Sequence, residues 1–273
     1  MNSLVYALRL LSRDWRAGEI RLLALALFLA VTAITAVAWL ADRVASVTDS
    51  QAADLLGGDR VVESTRPIDP AFAEAALAAG LAISRLVEFP SVVVYGERTQ
   101  LTAVRAVDAN YPLRGELLVG DSLEGERVVA EGAPAPGNVW VEPRLLLQLD
   151  ASPGDRLSLG NLDLAIDRLI FLDPAVGMGF SNFAPRLMLA LDDLDATGLL
   201  QDGSRVRYKL LVAGDAPALA AFETAITPLL DRHVELERPG EDQPGVEQVI
   251  SAAKRFLGLS ALLTVVVGGV AML

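Results

Sequence analysis

The chain has no cysteine, and among its 273 residues there is a single histidine, His233. Without cysteine there is no disulfide framework and no thiol chemistry, which excludes the cysteine-stapled class of secreted domains. A lone histidine leaves a His-based metal site without partners. The phosphate-cradling pattern GxxxxGK[ST] is absent. The glycine-rich stretch Val176-Gly177-Met178-Gly179-Phe180 lacks the strand-and-helix context of a nucleotide loop, so the chain carries no nucleotide site of its own. Positive charge is scarce: 23 Lys and Arg face 35 Asp and Glu, for a formal net charge of −12. An acidic general surface argues against binding nucleic acid or anionic headgroups.

Apolar residues are abundant: 52% of the chain is hydrophobic and the mean hydropathy is +0.41. Residues 22–41, LLALALFLAVTAITAVAWLA, contain no charge, no proline and no glycine. At about 1.5 Å per residue that helix reaches roughly 30 Å, the thickness of a bilayer's hydrocarbon core. A signal peptide would have a shorter apolar region and a small-residue cleavage site; this run instead ends in Ala38-Trp39-Leu40-Ala41, with an interfacial tryptophan. The expectation is a retained transmembrane helix at 22–41. A second uncharged run, 256–273, FLGLSALLTVVVGGVAML, lacks a polar flank at its end. It reads as a second transmembrane helix, 254–273, cut short, and predicts that the native chain is longer.

Arg9, Arg13, Arg16 and Arg21 against Asp14 and Glu19 make the first 41 residues basic. By the positive-inside rule the N-terminus is cytoplasmic and the acidic middle lies outside. Lys254 and Arg255, at the outer end of the second run, oppose this mildly. Residues 1–21 read as a cytoplasmic amphipathic helix, with Leu4, Leu8, Leu11 and Trp15 on one side; a plain basic flank is the alternative.

Residues 42–253 form the main domain. A helical pattern continues from 42 to 56 and stops at Gly57-Gly58, and Val246, Val249, Ile250, Ala253 and Leu257 repeat at three and four. Both apolar runs are therefore expected to continue outside the bilayer as helical stalks. Between the stalks, strands are expected at 60–65, 82–88, 91–95, 100–107, 128–131, 139–141, 156–159, 162–171, 186–191, 205–212 and 234–237. Helices are expected at 70–79, 142–149 and 217–230, with turns at Gly96-Glu97 and 152–155. The pattern is α+β, with a β-rich insert at about 115–200.

Gly120-Asp121-Ser122-Leu123 spells GDSL, the nucleophile block of an esterase family. That chemistry needs a base, usually a histidine with an aspartate three residues before it. Here the aspartate, Asp231, is two before His233, and Gly179-Phe180-Ser181-Asn182 matches the family's asparagine block poorly. The motif is read as a loop and His233 as an ordinary strand-start residue. Asp192-Asp193 with Asp195, and the run from Glu235 to Asp242, are read as solvated surface. Ser260, Thr264 and Gly268, at steps of four, form a candidate helix-packing face. No residue is assigned a catalytic, cofactor-binding or metal-binding role.

The layout resembles the FtsX/MacB/LolC-like ABC transporter permeases, and AVDANYPLRGEL at 106–117 with VWVEPRLLLQLDASPGDRLSLG at 139–160 is similar to the YbbP-type branch. The chain looks like the N-terminal portion of such a protein. The resemblance implies that 42–253 is a MacB-like periplasmic core domain with stalks, in an inner-membrane, multi-pass permease that is not itself an enzyme. It implies a separate cytoplasmic ATPase as partner and a hydrophobic or lipid-related substrate. It also implies a periplasmic esterase or lipid-related partner, no cofactor and no nucleic acid. The other reading is a two-span sensor with an extracytoplasmic ligand-binding domain.

Overall fold

In the computed structural model the described residues are 52–130, 132–174, 184–200 and 205–239, together with 28, 31, 32, 35, 36, 39 and 43. The chain divides into two units, Met1–Thr48 with Asp242–Leu273, and Asp49–Glu241. In the first, the seven described residues are helical and exposed, and the Thr32 and Thr35 hydroxyls donate to the Phe28 and Val31 carbonyls at 2.7 and 2.8 Å. Among the described residues no helix is long and apolar enough to cross a membrane. The rest of the 22–41 span, the 1–21 helix, the stalk pattern around Val249 and the 254–273 run lie outside the described residues.

The second unit is built around β1 (Arg60–Ser64), β2 (Ala82–Tyr95), β10 (Arg207–Ala213) and β11 (Val234–Glu237), in the order β11-β1-β10-β2, all antiparallel. α1 (Pro70–Ala78) connects β1 to β2, and α3 (Ala216–Ile226) connects β10 to β11. This β-α-β, β-α-β arrangement is the split βαβ, or ferredoxin-like, motif. The helices form where caps are available. Asp69 Oδ1 accepts from the Ala71 N–H at 2.9 Å and Pro70 opens α1, where a missing N–H costs nothing. Pro217 sits in the first turn of α3, where a missing N–H again costs nothing, although Asp215 before it makes no side-chain cap. The helix was expected to reach Leu230 but stops at Ile226, and a 3₁₀ turn, Thr227–Leu229, follows at Pro228. Phe72, Ala76, Phe222 and Ile226 bury the helical face against Val62, Leu210 and Val212.

Everything from the end of β2 to β10 is an insertion. It contains β3 (Arg98–Val107), β4 (Leu118–Gly120), β5 (Val128–Val129), β6 (Asn138–Val141), α2 (Pro143–Leu149), β7 (Arg156–Leu159), β8 (Leu162–Leu172) and β9 (Arg186–Ala190). Pairing runs β2-β3-β9-β6-β8-β7, and β7 pairs back onto β2 through Val93–Leu159 and Val94–Ser158. Six strands thus close on themselves, which removes free edges. Two of the contacts, β3·β9 and β6·β8, are parallel. The closed ring is filled by Phe89, Val93, Val104, Leu164, Ile166 and Leu187, with Leu145, Leu146 and Leu149 of α2 packed into the same core. The β7–β8 turn holds Gly160 at φ 59°, where a Cβ would meet the Thr197 carbonyl oxygen at 2.1 Å; only glycine fits there.

β2 is one continuous 14-residue strand, roughly 45 Å long, and belongs to both modules. The expectation of two strands separated by Pro90 is corrected. The Ala103 N–H donates to the Pro185 carbonyl, away from β2, so Pro90 and Ala103 form a pair without ladder hydrogen bonds. The N–H that proline lacks therefore faces the gap between the end of the β10 pairing at Glu88 and the start of the β7 pairing at Val93.

Candidate functional site

The alternation of a strand gives β2, β3 and β9 two chemically different faces. One face points into the barrel. The other carries Glu88, Arg105 and Met188 in register across the three strands, with Arg207 of β10 paired to Glu88. Sheet geometry thus sets a row of charges where β2 leaves the four-stranded sheet and enters the barrel.

Arg105 is the centre of the row and only 4% exposed. Its Nη2 donates to Glu88 Oε1, and its Nη1 donates to Asp173 Oδ2 at 2.5 Å and to the Tyr111 hydroxyl at 3.0 Å. The Tyr111 hydroxyl in turn donates to Asp173 Oδ1 at 2.5 Å. Lys209 Nζ, 2.9 Å from Glu63 Oε2 and 3.8 Å from Glu88 Oε2, extends the network into the four-stranded sheet. On the barrel side Arg186 Nε lies 3.5 Å from Glu142 Oε2 and its Nη1 lies 4.0 Å from Asp173 Oδ2. Glu142 is fixed by its position before α2, where its carboxylate also accepts from the Arg186 backbone N–H at 3.1 Å.

Burial alone would raise the Glu88 carboxyl, but Arg105, Lys209 and Arg207 outweigh it and hold the pKa below the usual value. Burial likewise opposes the Arg105 charge, and Asp173 and Glu88 overcome it, so the guanidinium is held charged more firmly than usual. Removing one partner from such a network leaves a buried charge uncompensated.

A cavity of about 50 Å³ opens beside the network. That is room for roughly three waters or one small anionic group. Glu88, Arg105 and Asp173 line it, along with Arg186, Arg205 and Arg207, and its apolar wall includes Pro90, Ala103 and Leu187. The buried Nε and Nη1 of Arg186 have no hydrogen-bond partner among the described residues. Arg207 reaches Glu63 and Glu88 only at 3.9 and 3.7 Å. A face with spare guanidinium donors beside apolar surface can hold an anion.

The residues weighed from sequence lie elsewhere. Ser122 is exposed in the loop after β4, and His233 stands at the start of β11, at the opposite end of the strand order. His233 Nε2 accepts from Arg232 Nε at 3.1 Å, so nothing brings it to Ser122. Among the described residues no group of three or more His, Asp or Glu is placed to hold a metal. The reading of Asp193 as solvated surface is corrected: it is half-buried and its Oδ2 accepts from the Gly137 N–H at 2.7 Å. Sequence reasoning missed the Arg105 network. Its signal was a charge in the middle of an apolar strand, as in LTAVRAV at 101–107 and LVEFP at 86–90.

No protein-family model matches the chain. Over 252 residues, 92% of its length, it is 31% identical to the ABC transporter permease YbbP of Escherichia coli strain K12. The chain spans 30% of the length of that curated relative. Among solved structures, the periplasmic region of MacB from Actinobacillus actinomycetemcomitans superposes with a TM-score of 0.47 at 10% identity, covering 71% of this chain and 95% of that one. The extracellular domain of the noncanonic ABC-type transporter YknZ from Gram-positive bacteria gives a TM-score of 0.43 at 10% identity, covering 66% and 100%. The chain is therefore similar, along nearly its whole length, to a YbbP-type ABC transporter permease.

Proposed function

We propose that the chain is part of the permease subunit of an ABC transporter, works with a separate cytoplasmic ATPase, and carries its main domain outside the inner membrane. The observation that carries this reading is the 31% identity over 92% of the chain with an ABC transporter permease. The chain is then a transport subunit rather than an enzyme. In this reading the N-terminus is cytoplasmic, 22–41 and 254–273 are membrane helices, and the 42–253 domain is periplasmic. ATP-driven movement reaches it through helical stalks, and the substrate is hydrophobic or lipid-related. Neither the structure nor the likeness supports an esterase partner, and the permease match disfavours the two-span sensor.

The test is to tag the Met1 end of the native gene product and purify it gently from membranes. A product well above 28.9 kDa that brings an ATPase with it is the expected result. A 28.9 kDa product without an ATPase overturns the reading. Stalk coupling has its own test. Val249→Pro removes a helical hydrogen bond from the predicted second stalk and should lower stimulated ATPase activity in the full assembly; unchanged activity removes the stalk mechanism.

A further inference from the structure

We infer that the junction cavity and the strip of sheet beside it form a binding site for a single-chain anionic amphiphile, whose headgroup is taken by Arg186, Arg205 and Arg207 and whose tail lies along β2 and β3. Arg105 is not part of this claim, because Glu88 and Asp173 already neutralise it. The three other arginines line the same cavity. Among the described residues the side chains of Arg186 and Arg207 make only long ion pairs, at 3.5 to 4.0 Å, and Arg205 is exposed. A guanidinium offers five donors in a fixed fork that fits a carboxylate or a phosphate edge. In a chain of net charge −12, three such groups around one cavity mark a local exception to the acidic surface.

The apolar half of the site follows from register. Pro90, Ala103 and Arg186 are successive partners across β2, β3 and β9, on the same face as Arg105. Moving along the hairpin away from the cavity, the next pairs on that face are Val92 with Leu101 and Val94 with Thr99. Val92 is 48% exposed, Val94 37% and Leu101 45%. The opposite face of the same strands is packed inside the barrel, with Val93 fully buried. The strip is therefore a rigid apolar track, and it begins at the arginines. A free anion would use the cavity and ignore the track, whereas an uncharged lipid would use the track and leave the guanidinium donors unspent. Only a ligand that is anionic at one end and apolar beyond it uses both.

This deepens the permease reading and rests on it for the claim that the ligand is what the transporter handles; the binding itself can be measured independently. The full chain is placed in nanodiscs of uncharged-surface, zwitterionic lipid, and calorimetric titrations are run with dodecyl phosphate, dodecanol and inorganic phosphate. One saturable dodecyl phosphate per chain is expected, with inorganic phosphate weaker and dodecanol without a saturable site. Arg205→Gln should weaken dodecyl phosphate about tenfold, the loss of one charge-assisted hydrogen bond. Leu101→Asn should weaken the amphiphile severalfold and leave inorganic phosphate unchanged. Both positions are exposed, so neither change threatens the fold, and an unaltered thermal transition checks this. Equal binding of dodecanol and dodecyl phosphate overturns the headgroup assignment. Equal binding of inorganic and dodecyl phosphate, untouched by Leu101→Asn, overturns the amphiphile. Binding lost in the variants of a protein that purifies without an ATPase supports the site and removes the permease reading; no binding in one that brings its ATPase does the reverse.

Discussion

The two faces of β3 differ more than any two modules of the fold. Val104 and Ala106 point into a closed ring of buried apolar side chains, while Arg105, between them, points into a cluster of seven other charged residues: Glu63, Glu88, Glu142, Asp173, Arg186, Arg207 and Lys209. The first face is stabilised by area removed from water, which is additive and tolerant of volume-conserving change. The second is stabilised only when every partner is present, because the cost of desolvating each ion is offset by its neighbours and by little else. Position follows from this difference. The apolar ring closes one module upon itself, whereas the ionic cluster ties that module to the four-stranded sheet through Lys209, Glu63 and Glu88.

The comparison breaks most visibly at its charged centre. Arg105→Ala leaves Glu88 and Asp173 buried without their shared cation and should cost about 3–5 kcal/mol of unfolding free energy, read from the denaturant midpoint of the chain. A loss under about 1 kcal/mol would show that the cluster is solvated and that the contrast between the faces is false.

Glu88→Gln should have a smaller effect, since the amide oxygen still accepts from Arg105. Its signature is in the pH dependence. The Glu88 pKa is lower in the folded state than its ordinary value of 4.5. The unfolded state therefore binds the proton first as pH falls, and the stability from this carboxylate is present above about pH 4.5 and is lost as pH drops through the folded pKa. Denaturant midpoints measured from about pH 7 down to about pH 3 should fall in the parent, and fall less steeply in the Glu88→Gln chain. Asp155, held below its ordinary value by the Ser152 backbone N–H and then by Tyr95, and Glu223, where Arg238 and Arg60 outweigh burial, act in the same direction, so some slope remains.

On the barrel side the effect is smaller again. Ile166 is 1% exposed within the ring, and Ile166→Val removes one methylene, for about 0.5–1.5 kcal/mol. The loss should be the same at pH 7 and in mild acid, because no charge takes part. A pH-dependent loss would mean that the two faces are coupled.

Much of this was legible in local pattern. β7 and β11 fall at the expected residues, α1 is marked by Asp69-Pro70, and Gly96-Glu97 makes the expected two-residue turn, with Gly96 at φ 58°. A β-rich insert was expected at about 115–200; the closed ring, which also takes in β2 and β3, was not. Closure depends on Val93 finding Leu159, 66 residues away, and no local period records such a pairing. β4 was missed because three residues carry too little pattern. The charged cluster escaped for the same reason as the ring: Arg105 and Asp173 are 68 residues apart, and each alone looks like an ordinary surface charge.

The smallest change tests the same comparison along one strand. β3 carries a second arginine, Arg98, whose Nη2 lies 3.1 Å from Asp150 Oδ2, a contact as well formed on paper as those of Arg105. Its side chain is 54% exposed and that of Asp150 78% exposed, against 5% for Arg105 and 1% for Asp173. Water screens the exposed pair and keeps each group solvated when the other is removed, so Arg98→Ala should change stability by no more than about 0.5 kcal/mol. Raising the salt concentration should shrink even that difference while leaving the Arg105→Ala loss nearly intact, since buried pairs are screened far less. If Arg98→Ala were instead as damaging as Arg105→Ala, burial would not be what separates the two arginines, and the account of the junction as a desolvated tie between the modules would fall with it.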